Sequence, residues 1–390
     1  MSDGLSNPLA HPLDLAQRLI HCPSVTPADK GALDVLQTAL ESLGFTCTRL
    51  PFSEDGAEDV DNLYAKLGTD LPNFCYAGHT DVVPIGAPAG WSMDPFGAEV
   101  IDGILYGRGA ADMKAGIASF VAAVTRFLEE HGSDFGGAIS LLITGDEEGV
   151  GINGSRKLVG WLKDNDEILT HCLVGEPTNP TKLGEMIKVG RRGSLVGYLT
   201  VYGTQGHTAY PHLADNPINR LLQMLAAITH EPLDDGTDHF QPSSVAISSI
   251  DVGNPATNVI PAEARATFNI RFNDRHSQAS LKAHLTEMFE TVGGKYELLT
   301  QDNGEAFMCE PDRLAKIIAD AAEKVTGIRP ELSTTGGTSD ARYIHTACTC
   351  AEFGLVGQSM HKADERQTVA DIEALADIYK GVLDVYFSKA

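Results

Sequence analysis

Apolar positions in the first half of the chain follow two patterns in turn, a helical repeat and a short continuous run. In the segment GALDVLQTALESLGF (31–45) they recur every three to four residues, which predicts an amphipathic helix. The apolar runs NFCYAGHTD (73–81) and AISLLITGDEEG (138–149) predict buried strands, and AADMKAGIASFVAAVTRFLEEHG (110–132) predicts a long helix that ends at Gly132. Strands that alternate with helices are typical of an α/β domain with a mostly parallel sheet.

The pattern changes near Gly193. The following residues predict the order β-α-β-β-α-β, in the runs SLVGYLTVYG (194–203), NPINRLLQMLAAITH (216–230), SSVAISSIDVG (243–253), EARATFNIRF (263–272), SQASLKAHLTEMFETVG (277–293) and KYELLTQDN (295–303). This split βαβ order describes a unit that can fold by itself. We therefore predict a first domain over residues 1–191 and 305–390, with a second domain inserted over residues 192–304.

The inserted segment also suggests two strand pairings. The hydrophobic run SLVGYLTVYG (194–203) is predicted to pair edge to edge with its copy in a second chain, which would give a two-fold dimer. The segments ATNVIP (256–261) and NIRF (269–272) are expected to lie on neighbouring strands.

The composition of the chain indicates which partners and which cell compartment to expect. The net charge of -24 repels phosphate backbones and anionic lipids, so we expect neither nucleic acid nor a membrane as a partner. The seven cysteines show no CxxC spacing, and several lie in apolar runs, which is typical of free thiols in a reducing compartment. The N-terminal segment lacks the pattern of a secretory signal, and no apolar run approaches the length of a membrane span. We expect a cytoplasmic protein.

Acids and imidazoles follow the ends of several predicted strands or precede a helix: His79, Asp81, Asp112, Glu147, Glu148, Glu176 and His361. Each alone has an ordinary explanation, such as a helix N-cap for Asp112 or a solvated turn for Glu147 and Glu148. Ligands of open α/β sheets bind at the carboxyl ends of the strands, so together these groups predict one shared cleft.

Nitrogen and oxygen donors of this kind suit zinc. Two imidazoles and three carboxylates can hold two ions about 3.5–4 Å apart if one carboxylate bridges them, and a remaining acid can then act as the base. His79 is predicted to be a ligand whose second ring N–H is accepted by Asp81. The residues alone leave open which of Glu147 and Glu148 is the ligand.

Seven motifs resemble those of the zinc-dependent deacylase and carboxypeptidase family: GHTDVVP, GRGAADMKAG, TGDEEG, VGEPT, GHTAYPHLADNP, GGTSDAR and SMHKADE. That family includes acetylornithine deacetylase, aminoacylase and a glutamate carboxypeptidase. The resemblance extends from about residue 10 to 385 and implies a zinc-hydrolase domain with an inserted lid and dimerisation domain. Before the last histidine the related pattern often has an asparagine, whereas this chain reads GLVGQSMHK, so the substrate contact near Gln358 and Ser359 stays unassigned.

The resemblance also implies roles for individual residues. His79 and Glu176 would hold one zinc ion, Glu148 and His361 the other, and Asp112 would bridge the two. Cobalt or manganese can substitute for zinc in such sites. Glu147 would be the general base, and Asp81 would support the ligand His79.

Further roles concern the substrate. His207 would reach the site of a second chain across a dimer interface and donate to the developing oxyanion. The substrate carboxylates would be bound by residues of both domains: Arg191 or its neighbour Arg192, Asn258, Arg271, Gly337 and Thr338.

The implied function is a di-zinc amidohydrolase that cleaves the linear amide of a small dicarboxylic acid in amino-acid biosynthesis. An acetylornithine deacetylase or related aminoacylase would use the same chemistry. A non-catalytic binding module is disfavoured because Glu147 accompanies all five candidate ligands. A nucleotide-dependent redox enzyme has little support, since YGRGAADMKAG (106–116) lacks the GxGxxG spacing.

Overall fold

A computed structural model describes residues 7–388, which form two compact units. The first unit contains residues 7–189, 309–333 and 339–388, and the second contains residues 190–308 and 334–338. The domain limits predicted from the sequence, after residues 191 and 304, stay a prediction.

The strands of the described chain are β1 (Thr46–Arg49), β2 (Leu63–Leu67), β3 (Asn73–His79), β4 (Val100–Ile101), β5 (Ile104–Tyr106), β6 (Ala138–Thr144), β7 (His171–Val174), β8 (Met186–Lys188), β9 (Gly190–Arg191), β10 (Gly193–Tyr202), β11 (Gly206–His207), β12 (Ser244–Asp251), β13 (Val259–Ile260), β14 (Glu263–Phe272), β15 (Tyr296–Asp302), β16 (Phe307–Met308), β17 (Glu331–Ser333), β18 (Thr349–Glu352) and β19 (Arg366–Thr368). The α-helices within residues 7–388 are α1 (Pro12–Ile20), α2 (Ala32–Ser42), α3 (Lys114–His131), α4 (Ser155–Asp164), α5 (Pro217–Thr229), α6 (Gln278–Val292), α7 (Arg313–Thr326), α8 (Ala341–Ile344) and α9 (Val369–Tyr386).

An eight-stranded sheet lies at the centre of the first unit, in the order β1-β2-β6-β3-β7-β18-β8-β17. Within it, β6, β3, β7 and β18 are parallel neighbours. Every residue of β3 and β6 is buried, and one core cluster joins these strands to helices α1, α2, α3, α7 and α9. Parallel strands covered in this way have continuous apolar runs, as the sequence shows. The predicted α/β class with a mostly parallel sheet is confirmed.

Helix α3 ends where the sequence predicts. It spans Lys114–His131, and Gly132 follows it with φ 72, in the left-handed region that favours glycine. Most of α3 is buried, because the helix packs between the sheet and helices α1 and α9.

The second unit contains a four-stranded antiparallel sheet in the order β12-β14-β10-β15. Helices α5 and α6 pack on this sheet, where Leu221 and Leu285 meet Leu199 and Phe268 in a second core cluster. The chain order β10-α5-β12-β14-α6-β15 confirms the predicted β-α-β-β-α-β arrangement.

The strand predicted to pair with its copy is not an edge strand. Strand β10 lies between β14 and β15, and its ladders to both neighbours occupy the backbone groups that a second chain would need. Its hydrophobic pattern reflects burial on one face, which is equally compatible with a central position. The edges of this sheet are β12 and β15, so the predicted pairing through residues 194–203 is wrong.

The expected adjacency of ATNVIP and NIRF is also wrong. Strand β13, which follows Asn258, pairs with β11, whereas Arg271 lies on β14 between β12 and β10. The segment after Asn258 therefore pairs with the strand that ends at His207 instead of joining the larger sheet.

Among residues 7–388, no helix is both long and apolar enough to cross a membrane. All seven cysteines are free thiols.

Candidate metal centre

The carboxyl ends of three parallel strands bring candidate ligands to one edge of the sheet. His79 is the last residue of β3, and the strand register places it beside Thr144, the last residue of β6. The loop after β6 carries Glu147 and Glu148, and the turn after β7 carries Glu176. The direction of parallel strands thus gathers side chains that lie far apart in sequence.

Two more residues reach this edge from other segments of the first unit. Asp112 lies in the turn before α3. His361 lies in the loop that follows β18, with φ 63. A positive φ is unusual for a residue with a side chain, and such conformations persist only where surrounding contacts hold them.

Asp112 stands between the two imidazoles. Its Oδ1 lies 3.1 Å from Nε2 of His79, and its Oδ2 lies 3.2 Å from Nε2 of His361. On the far sides, Nε2 of His79 lies 3.9 Å from Oε1 of Glu176, and Nε2 of His361 lies 2.8 Å from Oε1 of Glu148. Each oxygen of one carboxylate therefore faces a separate imidazole and carboxylate pair.

The donor set fits metal ions. Ligand atoms of His79, Asp112 and Glu148 lie within 4.8 Å of one another, and so do those of His79, Glu147 and Glu176. Imidazole nitrogen with carboxylate oxygen is a common ligand set for zinc and related divalent metals. The distances leave both Glu147 and Glu148 close enough to serve as ligands.

The pKa values of several ionisable groups in this cluster are strongly shifted. Burial lowers the pKa of His79, but its hydrogen bond to Asp112 and the charges of Asp112 and Asp81 raise it well above the usual range. Hydrogen bonds to Asp112 and Glu148 raise the pKa of His361 to about 10. Burial raises the pKa of Asp112, but hydrogen bonds from the two imidazoles bring it below its usual range. A metal ion that binds here must displace these protons.

The second ring nitrogen of His79 has a different acceptor from the one expected. Its Nδ1 lies 2.9 Å from the backbone carbonyl oxygen of Asp81 and 3.6 Å from the Asp81 carboxylate. That carboxylate instead accepts the backbone N–H groups of Glu147 at 3.3 Å and Glu148 at 3.0 Å. Asp81 therefore supports His79 through its main chain and the glutamate turn through its side chain.

Glu147 is suited to holding a proton. Burial raises the pKa of its carboxyl well above the usual value, and the nearby charge of Glu176 raises it further. A carboxyl group with a raised pKa can accept and return a proton near neutral pH.

The second unit carries most of the other predicted site residues. Arg191 on β9 donates to the backbone carbonyl of Gly337 at 3.1 Å, and Thr338 is the next residue. His207 and Asn258 are exposed neighbours across the short β11–β13 pair.

The local hydrogen bonds of these two residues involve nearby backbone groups. Nδ1 of His207 accepts the N–H of Ala209 at 3.0 Å, and the carbonyl of Asn258 accepts the N–H of Thr208 at 3.0 Å. Arg271 lies opposite Ser194 in the strand register, away from this pair in the sheet topology.

Two features were not predicted from the sequence. Glu365 is a buried carboxylate that accepts backbone N–H groups beside Asp112. It belongs to the motif SMHKADE, four residues after His361, and an acid so close to a candidate ligand was the available signal. The other feature is a surface group of Glu130, His131 and Asp384, which pairs with Lys380 in the manner of a solvated ion-pair cluster.

Comparison with known sequences gives close relatives. The chain is 61% identical over 379 residues to the succinyl-diaminopimelate desuccinylase of Rhodospirillum centenum, which covers 97% of this chain and 98% of that protein. It is 57% identical over 390 residues to the protein of the same name from Rhodospirillum rubrum, covering 97% of this chain and 99% of that one.

Solved structures share the fold at low identity. A tripeptidase from Staphylococcus aureus matches with a TM-score of 0.80 and 20% identity, covering 99% of this chain and 100% of that one. An M20 family metallo-carboxypeptidase from Sulfolobus solfataricus matches with a TM-score of 0.80 and 16% identity, covering 96% and 99%. A dinuclear metal binding peptidase of the M20 family from Bacillus subtilis matches with a TM-score of 0.66 and 17% identity, covering 96% and 97%.

The sequence profile of peptidase family M20/M25/M40 matches residues 75–384, a range that includes every candidate ligand. The chain belongs to peptidase family M20/M25/M40.

Proposed function

We propose that the protein is a metal-dependent amidohydrolase that cleaves N-succinyl-L,L-2,6-diaminopimelate to succinate and L,L-diaminopimelate. The reaction belongs to lysine and cell-wall precursor biosynthesis. Support comes from full-length relatives of that name at 57–61% identity. A cytoplasmic location fits a biosynthetic role of this kind.

The proposed cofactor is a pair of zinc ions, for which cobalt or manganese could substitute. His79 and Glu176 would hold one ion, His361 and Glu148 the other, and Asp112 would bridge them. The observation that carries this proposal is the division of the Asp112 carboxylate, with Oδ1 at 3.1 Å from His79 and Oδ2 at 3.2 Å from His361. Bound zinc would supply Lewis-acid polarisation of the amide carbonyl and make the attacking water more acidic.

Glu147 is proposed as the general base. It would take a proton from the attacking water and pass that proton to the departing amine of diaminopimelate. Its raised pKa supports this role because a carboxylate with a raised pKa is a stronger base towards the attacking water and can still return the proton to the departing amine. Asp81 would hold the Glu147 backbone in place through the hydrogen bond to its N–H group.

The substrate carboxylates would be bound by cationic and amide groups of the second unit. Arg191 and Arg271 are the proposed arginines, because a guanidinium group matches a carboxylate in two parallel hydrogen bonds. Asn258, Gly337 and Thr338 would add amide, backbone and hydroxyl contacts.

We also propose that the protein is a homodimer in which His207 of one chain donates to the oxyanion formed in the other. The second unit offers two edge strands for such an association, β12 and β15. Strand β12 is almost wholly exposed, and Ile247 and Ile250 on it are 38% and 51% exposed. An exposed apolar edge of this kind is a ready template for pairing with a second copy.

A substrate comparison tests the proposed activity. One purified preparation is assayed with N-succinyl-L,L-diaminopimelate and with N-acetylornithine, and its metal content is measured on the same sample. We expect cleavage of the succinylated compound at a kcat/KM at least about 10²-fold above that of the acetylated one, since a site built to pair a carboxylate rejects a substrate that lacks it. Preference for acetylornithine would assign the chain to the acetylornithine deacetylase or aminoacylase type instead.

A further inference from the structure

Glu365 lies in a network that none of the proposed roles uses. Its side chain is 1% exposed. One oxygen, Oε1, accepts three backbone N–H groups, from Gly109 at 3.1 Å, Ala111 at 2.9 Å and Asp112 at 3.0 Å. The other oxygen, Oε2, lies 2.6 Å from Nη1 of Arg108, which is itself only 2% exposed. Both oxygens of the carboxylate are therefore used, and both point at the loop that carries the proposed bridging ligand.

Additional contacts bind the two ligand-bearing segments together. The backbone carbonyl of Glu365 accepts the N–H of Gly107 at 2.9 Å. Arg108 donates to the carbonyl of Lys362 at 3.2 Å, and its guanidinium lies over the ring of Trp91 at 5.1 Å. Lys362 follows His361 directly in the sequence, so the same network fixes the backbone beside both Asp112 and His361.

Burial of these two charged groups has a high cost in free energy. A buried carboxylate and a buried guanidinium are each costly to remove from water, and their ion pair and hydrogen bonds offset that cost. A side chain that accepts three backbone N–H groups within four residues of one loop, from Gly109 to Asp112, leaves that loop little freedom.

We propose that Glu365 is a positioning residue of the metal centre. It anchors the loop 107–112 and so holds the Asp112 carboxylate between His79 and His361, without binding metal itself. This inference rests on the proposed two-metal site, but not on the identity of the substrate. Groups that orient metal ligands in this way typically contribute about 10–100-fold to metal affinity.

The substitution Glu365→Gln tests whether Glu365 positions the loop that carries Asp112. Glutamine has nearly the same shape but only one acceptor oxygen, and its other end is a donor. If the oxygen meets the three N–H groups, the amide nitrogen faces the donors of Arg108. In the opposite orientation, the N–H groups of Gly109, Ala111 and Asp112 lose their acceptor. Either orientation releases the loop or leaves a buried charge unpaired.

A matched control exists in the second unit. The side chain of Asp234 is 4% exposed and accepts the backbone N–H groups of Gly236 at 2.7 Å and Ser243 at 3.2 Å, together with the amide of Asn273 at 2.6 Å. Asp234→Asn therefore removes a comparable buried carboxylate from a comparable loop, in the unit that carries none of the proposed metal ligands.

The experiment titrates cobalt into the metal-free full-length proteins in the presence of a competing chelator. The visible absorption of the bound cobalt is the readout. In Glu365→Gln we expect both binding steps to weaken by about 10–100-fold, because both share Asp112, and the cobalt spectrum to change. Asp234→Asn should keep the affinities and the spectrum of the unchanged protein while losing thermal stability.

The opposite result would overturn the inference. If Glu365→Gln loses stability like Asp234→Asn but binds two cobalt ions with unchanged affinity and spectrum, Glu365 serves the fold alone. Should Glu365→Gln fail to fold, Glu365→Asp decides the matter, since it keeps the charge beside Arg108 and withdraws the acceptor from the loop. Unchanged cobalt binding by Glu365→Asp would then reject the positioning role. Because this readout involves no substrate, its outcome is independent of the succinyl-diaminopimelate assay.

Discussion

The metal centre and the pair His207 and Asn258 of the second unit are built in contrasting ways. Around Asp112, side chains from distant parts of the chain meet within 4 Å, and four of the five are largely buried, whereas His361 at the rim is 48% exposed. By contrast, His207 and Asn258 are exposed, and their hydrogen bonds described above are to nearby backbone groups.

This difference separates two kinds of function. A cross-linked cluster with a buried centre is positioned by folding, so a change at that centre alters metal binding and stability together. Exposed residues with local contacts can be substituted with little effect on folding. They contribute to function through the molecules that bind to them. Substitutions in the two regions should therefore give different patterns of metal content, stability and activity.

The largest effect is expected at the shared ligand. Asp112→Ala should abolish activity and reduce metal content at both sites, because each imidazole faces one of its two oxygens. His361→Ala should leave one site occupied. Metal analysis of dialysed samples checks both, and two tightly bound ions in Asp112→Ala would remove the bridging assignment.

The proton-transfer residue comes next. Glu147→Ala should keep its metals and its fold but lose about 10²–10⁴-fold in kcat, the range for a positioned proton-transfer group. Glu148→Ala should lose a metal ion. If instead Glu147→Ala loses the ion and Glu148→Ala keeps both, the roles of the two glutamates are exchanged.

His207 tests the exposed region. His207→Ala should retain metal and thermal stability while losing about 10²–10³-fold in kcat, as expected for a single oxyanion donor.

Mixing of variants tests whether His207 acts across chains. When subunits of His207→Ala and Glu147→Ala exchange freely, each mixed dimer regains one complete site, so about a quarter of the unchanged activity should return. Exchange demonstrated by mass, with activity still at the level of the single variants, would mean that His207 does not act across chains.

The smallest effect concerns the stability of the second unit. Burial raises the pKa of Asp234, but hydrogen bonds from Ser243, Gly236 and Asn273 outweigh it and lower the pKa from 3.8 to about 2. Because the folded pKa is the lower one, this stabilisation is fully present above pH 4 or so and is lost as the pH falls toward about 2.

Asp234→Ala should therefore lower the free energy of unfolding by about 2 kcal/mol at neutral pH, with a smaller difference in acid. Denaturant unfolding at several pH values measures this. An equal loss at pH 7 and pH 2 would reject the electrostatic explanation, and a loss of metal would contradict the separation of the two regions.

Local patterns predicted much of the fold and the candidate ligands. The apolar run ending at His79 and the helix ending at Gly132 are visible in sequence because their periodicity and end signals are local. Candidate ligands after strand ends could be grouped because parallel strands share an edge.

Features that depend on non-local pairing could not be predicted in the same way. Apolar alternation in β10 gave no information on whether a neighbouring strand lies on one side or both. The choice of the Asp81 carbonyl over its carboxylate as partner of His79 depends on side-chain geometry to within 1 Å. The role of Glu365 arises from a loop more than 250 residues away in sequence, at separations of 253 to 256 residues.

The most direct test of the two-metal site is X-ray diffraction from crystals grown with zinc, recorded on both sides of the zinc absorption edge. We predict two anomalous peaks, one on each side of the Asp112 carboxylate. The first lies beside His79 and Glu176, and the second lies beside His361 and Glu148. Peaks only at the surface group of Glu130, His131 and Asp384, or a single peak that Asp112 does not contact, would contradict the proposed centre.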